Sequence, residues 1–410
     1  MRVVITGCGV VSPLGCELPT FTENIFSGKS GVRIIDLYEL EDPDCRIAGQ
    51  ISDFSPQPEI GQSEARIMDR FTQLGVVAAL RAWKDAAIPT HCELDRVAVL
   101  IGTGIGGIGA YEDAFNRLDR TVRGDAFTVP RVMNNAPASW IAMKLGLLGR
   151  NQTINTACSS GGNAIGEAFR AIQSKQCDIV LCGGTEAPMG KKFMRTWKAM
   201  KVLSKKYETP ELASRPFDLN RDGLVMAEGA GMLVLESLDS AHQRGAHIYA
   251  ELVGFSSNCD AHSLTVPHSQ GQVAAMTLAL NDGNLRPEQI DYINAHGTST
   301  KINDRVETES IKLIFGERAY KLPVSSSKSM LGHSMGASSA LEIIICALAV
   351  KHDFVPPTIN YNEADPECDL DYVANQGRQQ ELRYVMSNSF GFGGNNAVLI
   401  LKKWQTEEKK

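Results

Sequence analysis

Short β-branched runs recur along the whole chain and constrain its fold more than any other feature. They are Val3–Thr6, Val97–Ile101, Ile179–Cys182, Met232–Leu235, Tyr249–Phe255, Tyr292–Asn294, Pro323–Ser325, Tyr384–Asn388 and Ala397–Leu401. Patterns of helical period lie between many of them: Phe71–Ala87, Ala164–Ser174, Ser237–Arg244, Val273–Asn281, Glu307–Phe315 and Leu341–Lys351. Strands alternating with helices predict an α/β protein with largely buried sheets. The theme runs twice. One pass ends in the strand Met232–Leu235 and the other in Ala397–Leu401, each after a glycine-rich loop. A chain of 410 residues also exceeds one ordinary core. The expectation is therefore two related halves, 1–246 and 247–410, divided near Gly245–Ile248.

The formal charge of −6 argues against general affinity for nucleic acid. The ten cysteines include no C-x-x-C pair and no zinc-finger spacing with histidine. Cys177, Cys182 and Cys346 lie in apolar runs that read as core, and unpatterned thiols in a long chain read as reduced. The opening Val3-Val4-Ile5-Thr6-Gly7 lacks the basic, apolar and cleavage regions of a signal peptide. A cytoplasmic chain is expected. The run Leu341–Val350 is about half the length that spans a bilayer and contains Glu342, so it reads as a buried helix. The polar tail from Gln405 to Lys410 is expected to fray.

One cysteine stands apart. Thr156-Ala157-Cys158-Ser159-Ser160-Gly161-Gly162 joins the strand-like Gln152–Asn155 to a helical Ala164–Ile172. A thiol at a helix N-terminus meets the positive end of the macrodipole, where a thiolate is favoured, and small neighbours admit a substrate carbonyl. Two histidines stand in loops of small residues that each follow a strand: Asn294-Ala295-His296-Gly297-Thr298-Ser299-Thr300, and Lys328-Ser329-Met330-Leu331-Gly332-His333. Open α/β sheets gather their ligands at such places. His91, His242, His247, His262, His268 and His352 lack such a setting and read as surface or core residues. Two neutral imidazoles can donate hydrogen bonds to one carbonyl oxygen as an enolate forms, and a cysteine can hold an acyl group as a thioester. That inventory suits carbon–carbon bond formation better than peptide hydrolysis.

These motifs, in this order, resemble those of the elongating β-ketoacyl-acyl carrier protein synthases of the thiolase superfamily, most closely synthase II. The resemblance runs from Val4-Ile5-Thr6-Gly7 to Asn388-Ser389-Phe390-Gly391-Phe392-Gly393-Gly394. It implies a thiolase-like fold with two βαβαβαββ halves in an α-β-α-β-α stack. It implies that Cys158 takes an acyl chain from its carrier protein, and that His296 and His333 bind the malonyl thioester carbonyl and promote loss of carbon dioxide. The product would be a 3-oxoacyl carrier protein two carbons longer. Lys328 matches the family's active-site lysine and Glu342 a helix glutamate that supports it. The N–H groups of Cys158 and Phe392 match the oxyanion hole. Phe392 also matches a gating phenylalanine beside Phe390, and Ile105 a position lining the acyl pocket. No metal or organic cofactor is implied, because the departing carboxylate drives enolate formation. Family members are dimers, so a homodimer is expected, with a heterodimer as the alternative.

Gly102-Thr103-Gly104-Ile105-Gly106-Gly107 fits G-x-G-x-x-G, yet no second strand ends in an acid at the distance a dinucleotide site needs. Close backbone packing is the expected role. The segment Lys191–Lys206 holds seven basic residues and no acid, including Lys201, Lys205 and Lys206. Its positive field suits an anionic partner, and acyl carrier proteins are acidic. The family's other basic stretch retains only Arg66 here. Ser159, Lys301-Ile302-Asn303 and Asn395 also depart from a housekeeping synthase II. The competing reading is therefore the catalytic ketosynthase of a type II polyketide or polyene system. A degradative thiolase would place a second cysteine where Ser389-Phe390-Gly391 stands, and a chain-length partner would lack Cys158.

Overall fold

The computed structural model describes residues 1–37, 45–89, 92–121, 123–206 and 208–405. His91 and residues 406–410 of the tail lie outside the described residues. Ten strands form the main sheet: β1 (Val3–Val11), β2 (Val97–Gly102), β3 (Asn151–Ile154), β4 (Ile179–Glu186), β5 (Gly229–Ser237), β6 (Ala250–Cys259), β7 (Tyr292–Asn294), β8 (Val324–Ser325), β9 (Tyr384–Gly391) and β10 (Asn395–Lys403). Their order is β8-β7-β9-β10-β6-β1-β5-β4-β2-β3. Read inward from each edge, both five-strand sets follow the order third, second, fourth, fifth, first. Their directions match as well: β2 and β7 pair in parallel with both neighbours, and the remaining pairs are antiparallel. The two sets join where β1 pairs antiparallel with β6, Val3 opposite Leu252.

Five helices build the layers: α1 (Arg70–Asp85), α2 (Ser160–Gln173), α3 (Ser269–Asp282), α4 (Lys301–Phe315) and α5 (Ser338–His352). α1 covers the outer face of β1, β5 and β4, while α3, backed by α4, covers β6 and β10. α2 and α5 pack on each other, and each touches strands of both sets. The stack is α-β-α-β-α, the arrangement expected of a thiolase-like fold. A helix enclosed on all sides must be apolar all round, and in α5 every residue from Ser338 to Val350 is buried. The run Met335–His352 is long and apolar enough to cross a membrane, but 89 % of it is buried inside the protein.

Several elements extend past their sequence patterns, for one reason. The β-branched run of β4 stops at Cys182, but the strand continues through Gly183-Gly184-Thr185-Glu186. A Cβ on Gly184 would fall 2.4 Å from the carbonyl oxygen of Gly336, so glycine is what lets the two halves close there. The same holds between α2 and β6, where a Cβ on Gly166 would sit 2.1 Å from the ring of Phe255. Gly166→Ala is expected to destabilise the protein by about 1–3 kcal/mol through overpacking. Urea unfolding checks this, and adding Phe255→Leu should recover most of the loss.

Candidate active site

Cys158 lies in a single 3-10 turn, Ala157–Ser159, directly before α2. Ala157 takes the left-handed conformation, φ 53°, a strained backbone of the kind that collects at functional sites. The turn aims the thiol at the C-terminal half. His333 Nε2 lies 3.2 Å from Cys158 Sγ, and the rings of His296 and His333 meet edge to face with centroids 5.5 Å apart. All three residues are buried. One donor atom from each falls within 4.8 Å of the others, so these three are the group that could converge on a single bound atom.

Each histidine is fixed from behind. The N–H groups of His296 and Gly297 donate to the two carboxylate oxygens of Glu307 on α4, both at 2.8 Å. Asn388 Nδ2 adds a donor to that carboxylate at 3.3 Å, and burial pushes Glu307 up to about 7. His333 is strapped through its backbone. Its N–H donates to Val225 O at 2.7 Å, and its carbonyl accepts from the Ala227 N–H at 2.9 Å. Its Nδ1 lies 2.9 Å from Ser338 Oγ, which also accepts from the Ser334 N–H at 2.9 Å. A hydroxyl both donates and accepts, so Ser338 serves either tautomer of His333.

Lys328 and Glu342 form a buried ion pair, and the second oxygen of Glu342 has no partner among the described residues. Burial lifts Glu342 to about 7 against the pull of Lys328. Burial, followed by the Lys328 charge, holds both imidazoles well below the usual histidine range. They are neutral at pH 7. The thiol departs from the expectation of a favoured thiolate, because burial pushes Cys158 up to about 11. The N–H groups of Phe392 and of Cys158 itself, and the Lys328 charge, pull down without overcoming that desolvation. At neutral pH the sulfur carries its proton, and His333 is the acceptor within reach.

A cavity of about 240 Å³ opens onto Cys158, His296 and His333. Its lining combines Trp197, Met200, Leu264, Phe390 and Phe392 with the hydroxyl-bearing Thr298 and Thr300. Phe390 sits with its ring 6.0 Å from His296, and Phe392 lies 6.4 Å from Trp197. Ile105 does not line this cavity; it packs in the apolar cluster shared by Cys158, Phe193, Trp197 and Met335. The basic segment forms the helix Lys191–Ala199 and the turn after it, with Lys201, Lys205 and Lys206 exposed. Met200 and Val202 line the cavity, so Lys201 stands at its rim. Arg66 is exposed at the end of the short helix Gln62–Ala65.

Three functional neighbours were not singled out by sequence: Glu307, Ser338 and Glu186. Glu186 carried the best signal, an acid closing an apolar strand after two glycines. Its carboxylate accepts from the N–H groups of Gly104, Ile105 and Gly106. The amides of the G-x-G-x-x-G loop are thus spent on an internal anion and do not face outward to cradle a phosphate.

Comparison with known proteins agrees with this geometry. The family model of the β-ketoacyl synthase N-terminal domain matches residues 1–241, and that of the C-terminal domain matches residues 249–362. The chain is 43 % identical over 409 residues to 3-oxoacyl-[acyl-carrier-protein] synthase 2 of Synechocystis, covering 98 % of each. It is 44 % identical over 410 residues to the protein of that name in Staphylococcus aureus, covering 99 % of each. Among solved structures, the ishigamide ketosynthase/chain length factor matches with a TM-score of 0.94 at 37 % identity, over 98 % of this chain and 99 % of that one. A type II polyketide ketosynthase, solved in complex with its acyl-carrier protein and bound to the hexaketide, gives 0.90 at 33 % identity, over 98 % and 99 %. A chain whose two halves match both domains of one family, and whose relatives align end to end at this identity, belongs to the β-ketoacyl synthase family of condensing enzymes.

Proposed function

We propose that the chain performs the decarboxylative Claisen condensation of malonyl-acyl carrier protein with an acyl chain held on Cys158, and that the buried Cys158, His296 and His333 share that work. The juxtaposition of the thiol with two neutral imidazoles carries this reading. In the first half-reaction the Cys158 sulfur attacks the acyl thioester carbonyl and gives its proton to His333 Nε2. The carrier thiolate leaves and takes that proton. In the second, the malonyl carbonyl oxygen accepts hydrogen bonds from His296 and His333. The bond to the carboxylate breaks, carbon dioxide leaves, and its electron pair forms the enolate. The enolate carbon then attacks the Cys158 thioester. The N–H groups of Cys158 and Phe392 hold the tetrahedral oxygen, and the departing sulfur takes a proton from solvent by way of His333, replacing the one the carrier thiol carried off. Burial, with the fixed positive charge of Lys328, keeps both imidazoles neutral, Glu342 holds Lys328, and Phe390 and Phe392 gate the cavity.

Acyl- and malonyl-loaded carrier proteins are the partners, docking on Lys201, Lys205, Lys206 and Arg66. We assign the halves to 1–246 and 247–410, a division supported by their matching strand order. The edge strand β3 and the exposed Phe115, Phe127, Val129 and Met143 support a dimer, either of two copies of this chain or with a chain-length partner, since sheet edges and exposed apolar side chains are normally covered. Ten cysteines without a disulfide support a cytoplasmic location.

A second reading has its own support. Of the residues that depart from a housekeeping synthase II, Ile302 and Asn303 line the cavity, and Ser159 and Asn395 directly follow Cys158 and Gly394, which line it. Asn395 Nδ2 donates to Phe392 O at 3.2 Å, Ser159 Oγ donates to Thr156 O at 2.9 Å, and Ile302 lines the mouth while 47 % exposed. These differences and the likeness to the type II polyketide ketosynthase support duty in a polyketide or polyene pathway as the alternative.

Intact-protein mass after incubation with saturated and polyunsaturated acyl carrier proteins, then malonyl carrier protein, separates these readings by the chain that loads best. Cys158→Ala is expected to abolish the adduct. His296→Ala should slow malonyl decarboxylation by about 10²–10⁴-fold while leaving acyl loading within about tenfold, because His333 is the imidazole against the sulfur. Lys328→Met removes the positive charge that lowers the Cys158 pKa. The pH midpoint of iodoacetamide alkylation should therefore move upward. Lys205→Glu with Lys206→Glu should raise the KM for carrier-bound substrate severalfold, leave kcat unchanged, and weaken the salt dependence of KM.

A further inference from the structure

Glu186 ends β4 with its side chain fully buried. Five neutral donors meet its charge: Thr103 Oγ1 at 3.0 Å, the Gly104 N–H at 2.5 Å, and the N–H groups of Ile105, Gly106 and Gly336, each at 3.1 Å. The first four belong to one loop and the fifth to another. The first loop carries Ile105. The second carries Met335, whose sulfur is 3.9 Å from Cys158 Sγ. Glu186 therefore joins the two backbones whose side chains, Ile105 and Met335, share the apolar cluster of the nucleophile.

The reacting groups have supports of their own, and the Glu186 charge, which raises the Cys158 pKa, bears equally on long and short acyl chains. His333 is held by Val225, Ala227 and Ser338, His296 by Glu307, and Cys158 by the start of α2. An acyl chain on Cys158 needs apolar room beside the sulfur; Met335 lines the cavity there, and Met189 and Met194 pack in the same apolar cluster. Methionine side chains deform readily. Backbone spacing, more than side-chain shape, then limits how long or stiff a chain is accepted, and Glu186 sets that spacing.

We propose that Glu186 is a positioning residue for acyl-chain selection, holding the Ile105 loop and the Met335 loop at a fixed separation. This rests on the condensing reaction assigned above. In Glu186→Gln one carboxylate oxygen becomes an NH₂ facing N–H donors, so the loops must part. Glu186→Asp withdraws the acceptors, and Thr103→Val deletes one donor with little risk to folding.

The test uses the full chain, a series of saturated acyl carrier proteins of increasing length, and malonyl carrier protein. Loading rates on Cys158 come from intact mass, and malonyl decarboxylation is followed by carbon dioxide release. In Glu186→Gln the ratio of long-chain to short-chain loading is expected to shift about tenfold, with decarboxylation held within about twofold. Thr103→Val should move the ratio the same way by less, and it carries the test if the Glu186 variants do not fold. An unchanged ratio in a folded variant, or loading and decarboxylation falling together, would overturn the proposal. A wild-type chain that neither loads nor decarboxylates would overturn the condensing reading instead.

Discussion

The starts of α2 and α5 touch at the centre of the molecule, and Cys158 and His333 take their positions from that contact. A Cβ on Gly161 would lie 2.8 Å from the Gly336 oxygen and 3.0 Å from Ala340 Cβ. The Gly162 N–H donates to Ser339 Oγ at 2.7 Å, so the exposed donors of one helix start are met by the other helix. Cys158 precedes α2 by two residues and His333 precedes α5 by five. A thiol and an imidazole that are 175 residues apart in the chain are thereby brought within 3.2 Å. A larger residue at Gly161 would separate the helices, and with them the two halves of the chemistry.

Such close packing buries Cys158, His296, His333, Lys328 and Glu342, and the electrostatics follow from that. Burying Lys328 with Glu342 is costly, and removing one partner of a buried pair costs about 3–5 kcal/mol. What the pair contributes is a charge in a medium that screens it weakly. Burial and that charge keep both imidazoles uncharged, which fits them for the proposed role of hydrogen-bond donors to a developing oxyanion. The same burial keeps the thiol protonated, so the proposed acyl transfer needs a proton acceptor, and His333, with Ser338 as a partner to either tautomer, is the imidazole within reach.

The alternation of elements, the repetition of the theme and the loops bearing Cys158, His296 and His333 were legible because each has a local signature: β-branched runs, helical period, and small residues beside a reactive one. What was hidden depends on approach between distant segments. β4 reads as ending at Cys182 because glycine ordinarily interrupts a strand, yet Gly184 is required by a carbonyl 152 positions later. Glu307 sits on a helix among other polar residues, and only the fold turns it toward the His296 loop. The state of the Cys158 thiol was misread for the same reason. A helix start lowers a thiol pKa and is visible in sequence, whereas burial raises it and is not.

The glycine-rich loop after β2 shows how far a motif can be separated from its usual ligand. Successive backbone N–H groups form a concave anion site whatever anion fills it, and the sequence G-x-G-x-x-G specifies the concavity alone. In a nucleotide-binding protein the anion arrives from outside and leaves again. Here it is Glu186, fixed to the end of the neighbouring strand, and a site for phosphate becomes a permanent strut. The strut reaches across to Gly336 in the other half, so the loop that most resembles a cofactor site in sequence serves in the fold as a tie between the nucleophile's half and the histidines' half.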